Sequence, residues 1–213
     1  SDVITPDPDM AALIKEIRSP HAAEIDRVLG RTDSLLYRRG NLNGTFDDLI
    51  CDALLKERDA QIALSPGFRW GATLLPGDQI TADTLYTQTA ITYPNVYRSE
   101  MTGAFIKEIL EDVADNLFNP DPYLQQGGDM VRVGGMGYAI DIGQPIGKRI
   151  SEMTLLASGE KIEPAKTYTV AGWASVNEGT EGPPVYELVA KYITDRKVIR
   201  LKQNRSIKVR GMQ

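Results

Sequence analysis

The stretch Ser65-Pro-Gly-Phe-Arg-Trp-Gly71 joins a strand-like apolar segment, Ile62-Ala-Leu64, to a second turn at Leu75-Pro-Gly-Asp78. Proline and glycine punctuate both turns, so the chain is predicted to form loops here between regular elements. The first loop presents an arginine between two large aromatic side chains. Because a guanidinium group is always charged and donates hydrogen bonds in a planar fork, Arg69 is a candidate ligand for an anionic group.

The aromatic neighbours of Arg69 admit two interpretations. Phe68 and Trp70 cost little conformational entropy to hold in place, so they can stack on a ligand or on a partner chain. Alternatively, they anchor the loop in the core and leave Arg69 as a solvated surface cation. We favour the binding interpretation and take Arg69 and Trp70 as candidate binding residues.

The composition bounds the class of protein. A length of 213 residues fits one domain, or one module of a larger protein, and 42% hydrophobic with 25% charged residues is typical of a globular chain. The net charge of -5 argues against nucleic-acid binding, which requires a basic face. No run of about 18 apolar residues occurs, so no membrane-spanning helix is predicted.

Histidine and cysteine are nearly absent from the sequence. The chain has one histidine and one cysteine, so these residues alone cannot build a histidine-rich metal centre or an internal disulfide. Cys51 lies in an apolar helical pattern without a basic neighbour in sequence, which favours a buried and unreactive thiol.

Hydrophobic periodicity and turn residues predict a mixture of helices and strands. The predicted helices cover residues 10–17, 22–29, 45–54, 102–117 and 185–193, with a short one starting at 81–83. The predicted strands cover residues 35–37, 62–64, 91–97, 138–142, 150–156, 167–173, 198–201 and 207–209. Because the two types do not alternate strictly, we predict an α+β fold, a mixed β-sheet with packed helices. Residues 1–30 are predicted to form a helical bridge from an upstream domain.

Two further segments and one residue pair are candidate sites. Arg38-Arg-Gly-Asn-Leu-Asn43 precedes the helix predicted to begin at Thr45, where free backbone N–H groups favour an anion, so Arg38, Arg39 and Asn41 are candidate ligands. The alternative is that these are ordinary surface arginines. Tyr93 and Asn95 form a second candidate set. The long polar loop that begins at Trp173 is a third, since loops of this kind carry recognition.

Taken together, these segments resemble the C-terminal domain of the 5′-nucleotidase family of two-domain metallophosphoesterases. Leu49-Ile-Cys-Asp-Ala-Leu54 resembles the helix after the family's first strand in this domain, and Ser65 to Arg69 stands where nucleotidases carry a glycine-rich segment ending in Ile-Arg. Leu75-Pro-Gly-Asp78 with Ile80 resembles the Gly-Asp-Ile turn. The resemblance covers residues 35–193 and implies the fold of that domain.

Within the family, the chain looks most like the SoxB thiosulfohydrolases. This choice depends on Arg38-Arg-Gly-Asn41, Ser65–Gly71 and Asn177-Glu-Gly-Thr-Glu-Gly-Pro-Pro184. Nucleotidases carry a phenylalanine in each of two segments that clamp the nucleobase, whereas the corresponding segments here hold Tyr93 and Trp173. These departures favour the sulfur-oxidation enzyme over nucleotide hydrolysis.

The resemblance implies a division of labour between two domains. An N-terminal metallophosphoesterase domain, absent from this sequence, would bind two manganese ions, while residues 31–213 would recognise the substrate and would be inactive alone. In SoxB-like enzymes of the periplasm, the substrate is a cysteine S-thiosulfonate on the glycine-rich C-terminal arm of SoxY, within the SoxYZ carrier complex. Arg69 would contact the sulfonate or the carrier backbone. Trp70, Tyr93 and Trp173 would line the channel for the arm.

Two other functions remain open at this point. The same domain could belong to a 5′-nucleotidase or related phosphoesterase that binds a small nucleotide. It could also be a non-enzymatic module whose aromatic loops bind a peptide tail.

Overall fold

The structure is a computed structural model that describes residues 4–38, 40–67, 71–175, 180–202 and 204–211. The helices of this part are α1 Pro8–Arg18, α2 Ala22–Ile25, α3 Thr45–Glu57, α4 Ala82–Thr89, α5 Gly103–Phe118 and α6 Val185–Arg196. The strands are β1 Val28–Thr32, β2 Ile62–Ser65, β3 Gln79–Thr81, β4 Tyr97–Thr102, β5 Arg132–Gly134, β6 Met136–Asp141, β7 Ile150–Leu155, β8 Thr167–Gly172, β9 Val198–Ile199 and β10 Ile207–Arg210.

The strands of the described residues form three sheets, and each sheet mixes parallel with antiparallel pairs. The largest has the order β4-β8-β2-β5, in which only the central β8–β2 pair is parallel. The two three-stranded sheets have the orders β3-β1-β9 and β10-β6-β7. The predicted α+β fold with mixed sheets and packed helices is therefore confirmed.

The four-stranded sheet separates two apolar clusters, because successive side chains of a strand point to opposite faces. On β8, Ala171 lies in the cluster that contains the buried face of α3, whereas Tyr168 and Val170 lie in the cluster that contains α5. The apolar residues Ile106 and Leu110 of α5 are buried on this second side of the sheet. The sheet is thus buried on both faces, and loops at its ends remain available for binding.

A buried carboxylate on α5 fixes the loop between β6 and β7. Glu111 is 4% exposed, and its two carboxylate oxygens accept backbone N–H groups of Gly147 at 2.8 Å, Arg149 at 3.2 Å and Ile150 at 2.7 Å. The Arg149 guanidinium in turn donates to Asp115 at 2.7 Å, one helical turn along α5. Helix and loop are therefore joined by charge-assisted hydrogen bonds.

We expect Glu111→Gln to lower the free energy of unfolding by about 1.5–3 kcal/mol, because a side-chain amide would turn N–H donors toward backbone N–H donors. The shift of the urea midpoint measures the effect. The exposed Glu108 lies on the same helix, so Glu108→Gln is the matched control. Equal midpoints for the two variants would contradict the assigned role of Glu111.

The structure corrects the predicted helix over residues 22–29. Only Ala22–Ile25 is helical, and Val28–Thr32 forms β1, which pairs with β3 and β9. Gly30 packs so closely that an added Cβ would lie 2.8 Å from the Lys197 carbonyl oxygen. These partners are distant in sequence, and they override the helical spacing of Ile25 and Val28. Residues 28–30 are therefore part of a sheet.

Three smaller predictions about local structure are also wrong. Thr45 with Asp48 resembles a capping box, which predicts Thr45 as the cap of α3. Gly44 is the capping residue instead, and the Thr45 hydroxyl donates to the Leu35 carbonyl at 2.6 Å. The predicted strand over residues 35–37 is reduced to one bridge between Leu36 and Leu74. The predicted strand over residues 91–97 begins only at Tyr97, because Pro94 has no N–H to donate.

Candidate functional site

A cluster of buried ion pairs lies between the start of α3 and β5. Oδ1 of Asp47 is 2.8 Å from Nε and 2.7 Å from Nη2 of Arg38, and Oδ2 of Asp47 is 3.3 Å from Nε of Arg132. Asp129 approaches Nη2 of Arg132 at 3.2 Å. These four side chains are at most 1% exposed. Two guanidinium groups and two carboxyl groups are thus enclosed together.

Asp47 is the central acceptor of this cluster. Burial raises the pKa of its carboxyl group to about 6, while the guanidinium groups of Arg38 and Arg132 lower that pKa and so oppose the effect of burial. The group is therefore ionised at neutral pH and pairs with both arginines.

The cluster holds the residues on both sides of positions 68–70, the central part of the loop Ser65–Gly71. Arg38 donates from Nη2 to the Pro66 carbonyl at 3.0 Å and from Nη1 to the Gln88 carbonyl. The Gln88 side chain donates to the Ala72 carbonyl at 2.6 Å. On the other side, Gly67 packs against Asp129 with no space for a Cβ. The backbone on both sides of residues 68–70 is therefore held by buried contacts.

The structure revises the interpretation of Arg38. The alternative that it is an ordinary surface arginine is wrong, because its side chain is 0% exposed. Its side chain donates to Asp47 and to the main-chain carbonyls of Pro66 and Gln88, which makes it a support of the loop. Its direct contact with a ligand stays a prediction.

Sequence reasoning missed Asp47 and Arg132. A signal for Asp47 was present, because it shares the spacing i, i+3, i+4 and i+7 with Ile50, Cys51 and Leu54, all buried on α3. A carboxylate on an apolar helical stripe requires a cationic partner. No comparable pattern marks Arg132, whose partners are distant in sequence.

Trp173 is anchored to Ser65, the last residue of β2. Its indole Nε1 donates to the Ser65 hydroxyl at 2.8 Å, and its ring centroid lies 6.0 Å from the Arg38 guanidinium carbon. The residue is 4% exposed. Most of the ring is therefore core, and only a small edge of it reaches an open groove beside β4.

The remaining described candidates lie at two places. Tyr93 is 49% exposed, so its ring is accessible to a ligand. Asn95 donates its side-chain amide to the Thr180 carbonyl at 2.9 Å and ties two loops together. Asn41 is exposed and accepts the Met130 N–H on its main-chain oxygen at 3.0 Å. Arg38 and Trp173 thus contact Pro66 and Ser65, which precede residues 68–70, and Asn41 bonds to Met130, which packs against Gly67.

Three candidate residues lie outside the described residues. These are Arg39, Arg69 and Trp70. Phe68 and part of the Asn177–Pro184 segment, on which the resemblance to SoxB depends, also lie outside the described residues. Their predicted roles stay predictions.

Within the described part of the chain, no three His, Cys, Asp or Glu side chains come together in a way that could hold a metal ion. Cys51 is buried, and burial raises the pKa of its thiol well above the usual value. The described residues therefore do not fit the manganese centre that the resemblance implies. Among them there is also no helix long and apolar enough to cross a membrane.

Solved structures share this fold over nearly the whole chain. Sulfate thiohydrolase SoxB of Thermus thermophilus, solved with glycerol, is 34% identical, and the match covers 100% of this chain and 40% of that one with a TM-score of 0.92. A 5′-nucleotidase precursor of Thermus thermophilus is 20% identical, with 98% and 45% coverage and a TM-score of 0.78. NAD nucleotidase of Haemophilus influenzae is 18% identical, with 97% and 42% coverage and a TM-score of 0.72.

The chain spans less than half the length of these solved relatives. No curated protein sequence matches it. The family model described as the 5′-nucleotidase C-terminal domain matches residues 27–189. This match covers more than half of the chain and agrees with the fold of the solved relatives. The chain therefore belongs to the 5′-nucleotidase C-terminal domain family.

Proposed function

We propose that this chain is the substrate-recognition domain of a SoxB-type thiosulfohydrolase, which hydrolyses a cysteine S-thiosulfonate on the carrier SoxY and releases sulfate. The observation that supports this best is the 34% identity to SoxB over the entire chain, against 17–20% for three nucleotidases of similar coverage. The relatives named here are hydrolases, which supports the same reaction class for the full-length protein.

The metal chemistry belongs to residues outside this sequence. In the proposal, two manganese ions bound by a preceding domain supply the activated water that attacks sulfur. Among the described residues, no group of His, Cys, Asp or Glu side chains could hold a metal ion. In the proposal, this chain binds and orients the substrate. A periplasmic location and docking with the SoxYZ complex are parts of the same proposal.

The chain's own contribution follows from the buried cluster. Arg38 and Gln88 fix the flanks of residues 68–70 through the carbonyls of Pro66 and Ala72. Flanks fixed in this way reduce the ordering entropy that presenting Arg69 to an anion would cost on binding. Tyr93 offers an exposed ring on the segment between α4 and β4. In the proposal, Arg69 binds the sulfonate and Tyr93 contacts the peptide arm.

A nucleotide is the second candidate substrate. The exposed ring of Tyr93 could stack on a base, and solved nucleotidases share the fold. Against this, Trp173 is 4% exposed and hydrogen-bonded to Ser65, so little of its ring is available to close a two-sided aromatic clamp.

Titration of the full-length protein separates the two substrates. We expect saturable binding of a Gly-Gly-Cys-Gly-Gly peptide whose cysteine carries thiosulfonate, observed by NMR or by thermal shift. The unmodified peptide is the control and should bind at least about tenfold more weakly, since one charge-assisted hydrogen bond is worth that much. Saturable binding of adenosine monophosphate, with no response to the thiosulfonate peptide, would overturn the proposal.

A further inference from the structure

An open groove of about 1180 Å³ follows β4, which is an edge strand of the four-stranded sheet. Its lining includes Tyr97, Arg98 and Ser99, three consecutive residues. Because successive side chains of a strand point to opposite faces of the sheet, a groove that touches all three must run along the edge rather than over one face.

The two walls of the groove come from opposite faces of the sheet. Arg58, directly after α3, lies on one side, while Phe105, Ile109 and Val113 of α5 line the other. Phe105 is 47% exposed, which is high for a large aromatic side chain. The groove therefore combines a cationic wall with an apolar wall on either side of an open strand.

The outer edge of β4 carries backbone hydrogen-bonding groups that no described residue pairs with. Its pairing with β8 runs from Tyr97–Gly172 to Thr102–Thr167, and in an antiparallel pair alternate residues direct their N–H and C=O groups away from the partner strand. Within the described residues, no other backbone group pairs with this outer edge. An unpaired edge of this kind is a template for an additional strand.

The charges along the groove favour an acidic occupant. Arg98 donates to the carbonyls of Arg58 at 2.8 Å and Asp59 at 3.2 Å, and neither Arg58 nor Arg98 forms an ion pair with a carboxylate in the described structure. Nε of Arg58 and the Ser99 hydroxyl are buried there without a hydrogen-bond partner. Glu181 is the carboxylate among the described lining residues. Two uncompensated guanidinium groups thus outweigh one carboxylate in a chain of net charge -5.

We propose that this edge binds an extended, acidic segment of a partner protein as an added strand. Its backbone would pair with the outer edge of β4, a carboxylate would lie against Arg58 and Arg98, and an apolar side chain would pack on Phe105. The inference rests on the proposed function for the identity of the partner, as the protein that carries the substrate. The surface itself is defined by residues outside the 68–70 loop.

The test uses peptide probes without any sulfur group, so its result is independent of thiosulfonate recognition. The full-length protein is titrated by fluorescence anisotropy with labelled Gly-Val-Glu-Val-Asp-Val-Gly and with a version that has lysine at the two acidic positions. We expect the acidic peptide to bind at least about tenfold more tightly, which corresponds to one charge-assisted contact.

Backbone methylation of the probe distinguishes strand pairing from simple charge attraction. N-methyl groups are placed at the odd residues of one acidic peptide and at the even residues of another. Only one set can face β4, because N–H groups alternate along a strand, so one peptide should lose binding and the other should keep it. Equal affinity of the two methylated peptides would overturn the added-strand inference.

Variants of the protein locate the site. Arg58→Gln and Arg98→Gln should each reduce the preference for the acidic probe about tenfold, and Arg31→Gln is the matched control, since Arg31 is an exposed arginine on β1. An unchanged preference in both groove variants would overturn the assignment to β4. If the acidic probe binds but the thiosulfonate peptide does not, the result would instead count against the proposed function.

Discussion

Replacement of Asp47 by asparagine is expected to lower the free energy of unfolding by about 3–5 kcal/mol, the cost of leaving buried charges unpaired. The carboxylate is 0% exposed and is shared by Arg38 and Arg132, so an amide would leave two enclosed guanidinium groups facing it. For a domain of this length, the loss corresponds to a fall in Tm of roughly 6–20 °C.

Differential scanning calorimetry at neutral pH measures the effect, with Asp52→Asn as the control. Asp52 is an exposed carboxylate on the same helix, so its replacement should change stability by less than about 0.5 kcal/mol. Arg38→Met combined with Asp47→Asn should cost less than the sum of the single changes by about 1 kcal/mol or more, because the partners are in contact. Strict additivity would show that the pair does not carry the stability.

The sequence predicts those parts of the fold whose causes are local. Thr102 caps α5, since its hydroxyl accepts the Phe105 N–H at 3.2 Å, and Ile106 and Leu110 of the apolar stripe are buried as the periodicity indicates. The N-cap of α4 at Thr81 follows the same logic. In these segments, capping and amphipathic spacing agree with the tertiary packing, so nothing overrides them.

Distant contacts explain where prediction fails. The segment Val28–Gly30 has a helical spacing, but its pairing with residues 79–81 and 198–199 makes it a strand. The Thr45 hydroxyl resembles a cap but bonds to Leu35 instead. Each competing partner is established only by the assembled fold, so a local pattern cannot reveal it.

The candidate site shows the same division. The composition of residues 65–71 predicts a binding loop, because proline and glycine favour turns and arginine between aromatics can bind an anion. That role stays a prediction. The support of the loop was not visible, because Arg38 reaches partners 9, 28 and 50 residues away. The buried position of Asp47 on the α3 stripe was the one readable sign of that support.

In the full-length enzyme that we propose, Arg69→Ala is expected to lower kcat/KM about ten- to a hundredfold, because one charge-assisted hydrogen bond to the sulfonate is worth about 1.5–3 kcal/mol. Steady-state kinetics with thiosulfonate-loaded carrier measures the effect. Metal content should stay unchanged, because the metal ions would be bound outside this sequence.

Comparison of Arg69→Ala with Arg38→Met distinguishes a loss of substrate binding from a loss of structural support for the loop. Arg38 is buried and bonded to Asp47 and Pro66, so its replacement should lower Tm as well as activity. Arg69→Ala should lower activity while Tm stays within about 2 °C of the parent, as for a change that breaks no buried network. Unaltered kinetics for Arg69→Ala would exclude its role at the sulfonate. A large loss of Tm would instead identify Arg69 as a structural residue and would move the recognition of the anion to another part of the surface.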